Sequence, residues 1–303
     1  MAEENRHIGF LSSGYVTPAS ERVEQVRRII RSMLGYAGIT PAEVLAAAVG
    51  VAAPVGPEGL AHHIEYYLKG MSGADLRQAL AHNFPWQVLL ESDADLAVIA
   101  ERWRGVGAGM DDVIALLAGE RLGAGIFTAG RIIRGHDNAA GEMGFLRLVD
   151  QVGNTGAIGN LARLFGAEAV ARESDDPANG RHRTRLDELT GGDPNRVDSQ
   201  MVFDAARDSD RTAADIVDRI AERMARIIAA LSILLDPEAV IIVGAIVASS
   251  EIFLPPLISH LPTYTRNPPK ILISTLGDHG VVIGATRLAI DHIESELFDS
   301  IAL

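Results

Sequence analysis

Two short stretches of this chain carry carboxylates in settings that could do chemistry. One is Ser92-Asp93-Ala94-Asp95, and the other is Glu142 within Gly141-Glu142-Met143-Gly144. An ionised carboxylate accepts hydrogen bonds only, and it can hold two donors at once. Each stretch also has a plainer reading. Ser92 to Asp95 has the spacing of a capping box for a helix that follows, and Glu142 reads equally as a solvated loop glutamate. A third stretch, residues 119–125, is rich in glycine, as backbone that cradles a phosphate is. The sequence has no cysteine, which excludes a disulfide, a thiolate nucleophile and a cysteine zinc site. His136 and His182 stand alone in polar sequence and read as surface histidines.

The bulk properties narrow the function classes. With 48% hydrophobic and 22% charged residues, the 303-residue chain has the profile of a globular protein with room for one large or two ordinary domains. Its net charge of -13, with no basic block, opposes a phosphate backbone, so DNA or RNA binding by these residues alone is not expected. No apolar run approaches the ~18 residues of a membrane span, and the first six residues do not form a signal peptide. The expected location is cytoplasmic, with no membrane partner.

These residues must be positioned by an alternation of helices and strands. Residues 17–38 have helical period, with Val23, Val26, Ile30, Met33 and Leu34 on one face. Thr40-Pro41-Ala42-Glu43 is a capping-box signature for a short helix. Residues 45–53 and 86–90 read as buried strands, 72–81 as a short helix and 93–104 as an amphipathic helix. Residues 112–118 read as a strand, 119–125 as a glycine loop, and 125–134 as a hairpin around Thr128-Ala129-Gly130. Residues 172–200 read as a long polar loop. The longest helix is expected over 210–235, with Ile216, Val217, Ile220, Met224, Ile227, Leu231 and Leu234 on its apolar face, which suits a lobe core or a subunit contact. Strands at 239–243 and 270–275 and helices at 251–261 and 281–297 complete an α/β pattern in two lobes.

Four segments in order resemble the ROK family of sugar kinases and sugar-responsive repressors. They are residues 49–55 (VGVAAPV), 91–95 (ESDAD), 135–144 (GHDNAAGEMG) and 240–244 (VIIVG), and the similarity continues through Leu276-Gly277-Asp278-His279 and Gly284-Ala285. The resemblance implies an actin-like, ribonuclease H-like fold with a cleft between two lobes. The small lobe would be residues 1–108 plus 287–303 and the large lobe 109–286. It also implies roles. Asp93 falls where family kinases place the base that takes the proton of the attacking sugar hydroxyl. Ser92, Glu142 and Phe145 fall at sugar-contacting positions. Gly119, Glu120, Gly123 and Gly244 fall at the nucleotide loops.

The sequence also departs from the family pattern. Ser92 stands where the family has Asn. Phe145 stands where it has the His that contacts sugar and, with three cysteines, holds zinc; no zinc is expected. No Asp-x-Gly-x-Thr phosphate loop precedes Val49, so the first lobe is expected to lack its N-terminal strands and to expose a strand edge. The second loop carries Glu120 in place of a threonine, and the adenosine-side glycines reduce to Gly244-Ala245-Ile246. The resulting expectation is a sugar-sensing effector domain of a ROK-type regulator, dimeric, without cofactor, touching DNA only through a winged helix outside this sequence. The alternative is an Mg-ATP-dependent hexose or amino-sugar kinase, and a third reading is a scaffolding fragment that binds no ligand.

Overall fold

The computed structural model describes residues 19–56, 58, 84–119, 122–143, 158–175 and 184–301. The elements fall into two compact units. The first holds α1 (Ala19–Ala37), β1 (Ala46–Val51), β2 (Gln87–Ser92), most of α2 (Asp93–Arg104), residues 134–140 and α8 (Gly280–Ile301). The second holds β3 (Val113–Ala118), β4 (Leu122–Thr128), β5 (Arg131–Ile132), α3 (Ile158–Asp175), α4 (Arg185–Thr190), α5 (Ser199–Arg207), α6 (Arg211–Leu235), β6 (Ala239–Val243), α7 (Ser250–Tyr264) and β7 (Lys270–Ile273).

The second unit is built on a mixed sheet in the order β5-β4-β3-β6-β7. β3, β4 and β5 pair antiparallel, while β6 and β7 extend the sheet in parallel. Ile114, Leu116 and Ala118 of β3 and Val240 and Ile242 of β6 alternate onto one face, where α6, α3 and α7 cover them in the main core. The opposite face is also closed: a Cβ on Gly107 would meet Ile241 Cδ1 at 2.8 Å. That two-sided burial is why β6 reads as an unbroken run of apolar residues. The hairpin turn takes positive φ at both Ala129 and Gly130, the backbone that matches strand twist. Asp112 holds it by accepting hydrogen bonds from the Thr128 hydroxyl and the Ala129 N–H, and these bonds keep its carboxyl below the usual range.

The smaller first unit pairs β1 and β2 in parallel, from Ala46 opposite Gln87 to Val51 opposite Ser92. Its core gathers Val23 of α1 with Val51, Val55, Val88 and Leu90, and Phe84 stacks on Trp86 at 4.3 Å between ring centroids. α8 lies directly on α2, where a Cβ on Gly284 would come within 1.9 Å of the Leu96 carbonyl oxygen.

Several expectations change. Met33 and Leu234, assigned to buried faces, are 53% and 78% exposed. Each sits in the last turn or so of its helix. β1 is mostly half-buried, with β2 as its one strand neighbour among the described residues. The glycine loop ends early, because Leu122, Ala124 and Ile126 alternate into the core and make β4 a strand from Leu122 onward. Residues 184–200 are only partly loop: Thr184 caps α4, a 3-10 turn spans Pro194–Arg196, and Asp198 caps α5. The helix α3 had no counterpart in the sequence reading. Thr40–Glu43 does close on itself, with Glu43 accepting from the Thr40 N–H and hydroxyl, but it makes a single 3-10 turn. The expected helix at 72–81 lies outside the described residues.

Residues 245–264 reach a mean hydropathy of 1.2 over a span-length window. Phe253, Leu257 and Leu261 of this segment are buried in the main core, and 28% of the window is buried in all.

Candidate functional site

The corner between β2 and α2 gathers most of the candidate chemistry. Ser92 ends β2 and Asp93 begins α2, both half-buried. Beneath them Glu91 and Asp95 are 6% and 4% exposed. The Arg134 guanidinium donates to Glu91 Oε2 from Nε at 3.1 Å and from Nη2 at 2.7 Å, and the Ser92 N–H reaches Glu91 Oε1 at 3.1 Å. Asp95 lies beside Glu91. Burial, and then the neighbouring Glu91 charge, push its carboxyl up to about 7, with Arg134 opposing. The capping-box expectation is modified, since the Ser92 N–H donates to Glu91. Sequence reasoning missed Glu91, Asp95 and Arg134 as a group. Two acids four apart across a strand–helix corner were a signal, whereas nothing local marked Arg134.

The second motif is shaped by its glycines. Gly135 and Gly141 have φ of 78° and 86°. A Cβ on Gly141 would lie 1.8 Å from the Ala124 carbonyl oxygen, and the Ala124 N–H donates to Gly141 O at 2.8 Å. Only glycine lets the chain lie this close to β4. Glu142 follows at once and is half-buried, and Met143 packs on the main core. Asn138, with φ of 53°, donates through Nδ2 to the Val55 carbonyl and fixes the loop that carries Arg134. His136 is fully solvated, as expected. Phe145, Glu120 and His182 lie outside the described residues.

The third place lies at the C-terminal ends of the parallel neighbours β3 and β6, where open α/β sheets commonly bind ligands. Gly119 follows β3, and Gly244, with φ of 92°, follows β6. A Cβ on Gly244 would press within 2.8 Å of the Ala118 carbonyl oxygen. The Gly159 N–H in the first turn of α3 donates to Gly119 O at 2.9 Å. These elements surround a small open pocket of about 80 Å³ lined by Gly119, Ile158, Gln200, Phe203, Ala245 and Ser249 among others. None of the described lining residues is charged. Gly123 does not join it, because it is paired with Leu117 within the sheet.

The ROK family profile matches residues 4–292. This chain belongs to the ROK family. It is 32% identical to a glucokinase of Thermotoga maritima over 225 residues, 72% of this chain and 70% of that protein. It is 26% identical to a xylose repressor of Caldicellulosiruptor bescii over 279 residues, 88% of this chain and 68% of the repressor. The solved ROK glucokinase of Streptomyces griseus, in complex with glucose and AMPPNP, superposes with a TM-score of 0.74 at 24% identity, covering 90% of this chain and 89% of that one. The fold is thus the actin-like α/β fold of ROK proteins.

Proposed function

We propose that this chain is the sugar-binding effector part of a ROK-type transcriptional regulator, and that it transfers no phosphate. The pocket at the ends of β3 and β6 carries this reading. Its described lining offers neither a cation for a triphosphate nor a carboxylate for the magnesium that accompanies it. Ala245 also brings a methyl group to the side facing Gly119, 3.9 Å from where a Cβ on that glycine would lie. Glu120, next in sequence, stands where the family has a threonine; a carboxylate within ~4 Å of a phosphate would be repelled by on the order of 4 kcal/mol at an effective dielectric of about 20, and Arg121 after it would offset part of this.

In this reading Ser92, Asp93 and Glu142 accept or donate hydrogen bonds to sugar hydroxyls, and Phe145 supplies an apolar wall. DNA contact belongs to a winged helix elsewhere in the regulator, and sugar binding acts on a cytoplasmic dimer. A kinase reading keeps support from the 32% identity to a glucokinase and from Asp93 at the start of α2.

Thermal unfolding against D-glucose, D-xylose and amino-sugars, with and without Mg-ATP, separates the two. A sugar at one hundred times its dissociation constant stabilises by about 2.7 kcal/mol. The expected result is stabilisation by one sugar, none by Mg-ATP, and no sugar phosphate after prolonged incubation. Turnover of ATP with any hexose overturns the effector reading.

A further inference from the structure

Residues 134–140 form a closed loop tied to both strands of the first unit. The Ala140 N–H donates to the Arg134 carbonyl at 3.0 Å, and positive φ at Gly135 and Asn138 turns the chain between them. One side chain reaches each strand. Asn138 Nδ2 donates to the Val55 carbonyl, just past the end of β1, and the Arg134 guanidinium donates to Glu91, just before the end of β2. β1 and β2 are parallel and end in register, Val51 opposite Ser92. Both ties therefore fall at the carboxyl end of the sheet, the end at which open α/β sheets take their ligands.

Glu91 passes the constraint on. Its side chain is buried, with Arg134 Nε and Nη2 on Oε2 at 3.1 and 2.7 Å and the Ser92 N–H on Oε1 at 3.1 Å. Two donors from one rigid guanidinium fix Oε2 and the plane of the carboxylate, and so fix where Oε1 meets the Ser92 peptide. We propose that Arg134 is a positioning residue for the sugar site: through Glu91 it sets the Ser92–Asp93 corner, and Asn138 steadies it by anchoring its loop to Val55. The effect on sugar affinity rests on the sugar-binding reading, while the setting of the Ser92 peptide does not. A lysine in place of Arg134 would neutralise Glu91 but offers no rigid fork of N–H groups, so charge and geometry can be separated. The competing role is direct contact with the sugar by an Arg134 side chain that is 35% exposed, and it predicts a different pattern of losses.

The test uses the whole chain as wild type, Arg134→Lys, Asn138→Ala, Glu91→Gln and the Arg134→Lys, Glu91→Gln double variant, each checked for a cooperative thermal transition. NMR reads hydrogen exchange at the Ser92 amide relative to the other β2 amides, without ligand. Calorimetry reads affinity for D-glucose, D-xylose and D-glucosamine. In Arg134→Lys and Asn138→Ala, Ser92 is expected to exchange about tenfold faster while the rest of β2 keeps its rates. Sugar affinity is expected to fall about tenfold, the size of one hydrogen bond to a charged group. Glu91→Gln loses a similar factor, and the double variant binds no more weakly than the weaker single one, because both substitutions break one line of contacts. If Arg134→Lys does not fold, Asn138→Ala, which leaves the ion pair intact, carries the same two readouts. Wild-type exchange and affinity in the folded variants overturn the proposal. Losses that multiply in the double variant also overturn it, because they put Arg134 on the sugar itself. A wild type that binds none of these sugars overturns the sugar reading and the affinity clause together. Ser92 exchange then decides the remainder: faster exchange in the variants upholds the setting of the corner, and unchanged exchange overturns it.

Discussion

Arg134 grips one oxygen of Glu91 with two N–H groups, and this ion pair is asymmetric in its surroundings. The carboxylate is buried, while about a third of the guanidinium side chain meets solvent. Removing the buried partner and removing the exposed one therefore have different costs. Arg134→Ala leaves Glu91 desolvated and still beside Asp95, at an expected cost of about 1–3 kcal/mol, reduced from the fully buried case by solvent screening. Chemical denaturation at pH 7 measures it, and a change under 0.5 kcal/mol would show that the pair holds nothing. The sign for Asp95 follows from linkage. Its carboxyl is raised from 3.8 to about 7 on folding, so the folded state binds the extra proton between those values. Its contribution to stability falls as pH rises through that window and is flat above it. Asp95→Asn is thus expected to gain roughly 1–3 kcal/mol over wild type at pH 8. At this scale the sequence made Asp93 and Glu142 visible through their motifs. The cluster under Asp93 stayed hidden because it depends on Arg134, 43 positions from Glu91, arriving by tertiary folding.

At the scale of elements, two helices meet with no side chain between them. Gly284 of α8 faces the Leu96 carbonyl of α2 so closely that a methyl group has no room, and the neighbour is backbone that no rotamer change can move. Gly284→Ala is expected to lower stability by about 1–3 kcal/mol and, because α2 begins at Asp93, to weaken sugar binding along with it. Gly109→Ala serves as control: nothing lies within 4 Å of its Cβ, so its cost comes only from its φ of +82°. A pair of variants with equal losses would refute the packing argument. The same logic explains what patterning could and could not reveal. Helical period exposed α2 and α6, each of which buries a stripe, and unbroken apolar runs exposed β3 and β6, which are buried on both faces. They failed at β4, whose two glycines mimic a loop while Leu122, Ala124 and Ile126 alternate with them into the core. They failed again at residues 184–200, where capping by Thr184 and Asp198 organises a polar stretch without an apolar stripe.

For the whole molecule, periodicity alone reached an α/β protein in two lobes, and the motif resemblance was needed to specify the actin-like arrangement. The reason is topological. Which strands become neighbours in a sheet is not a local property, and the order β5-β4-β3-β6-β7 joins two very different kinds of connection. One half is a meander of short turns. The other begins where β3 receives β6, pairing Val113 with Ala239. That single parallel ladder divides the folding of the sheet in time. The meander closes short loops and can form within microseconds to milliseconds, whereas β6 must wait for a loop of more than a hundred residues to close around α3 to α6. During synthesis, β3 emerges first and pairs with β4 as soon as that strand follows, while its other edge stays bare and apolar until β6 leaves the ribosome. Pulse-labelled hydrogen exchange during refolding is expected to protect β3 and β4 amides bonded to each other well before those of β6. The edge that ends up deepest in the finished sheet is therefore the one most exposed to wrong partners on the way there, and aggregation of nascent or slowly refolding chains should start at β3.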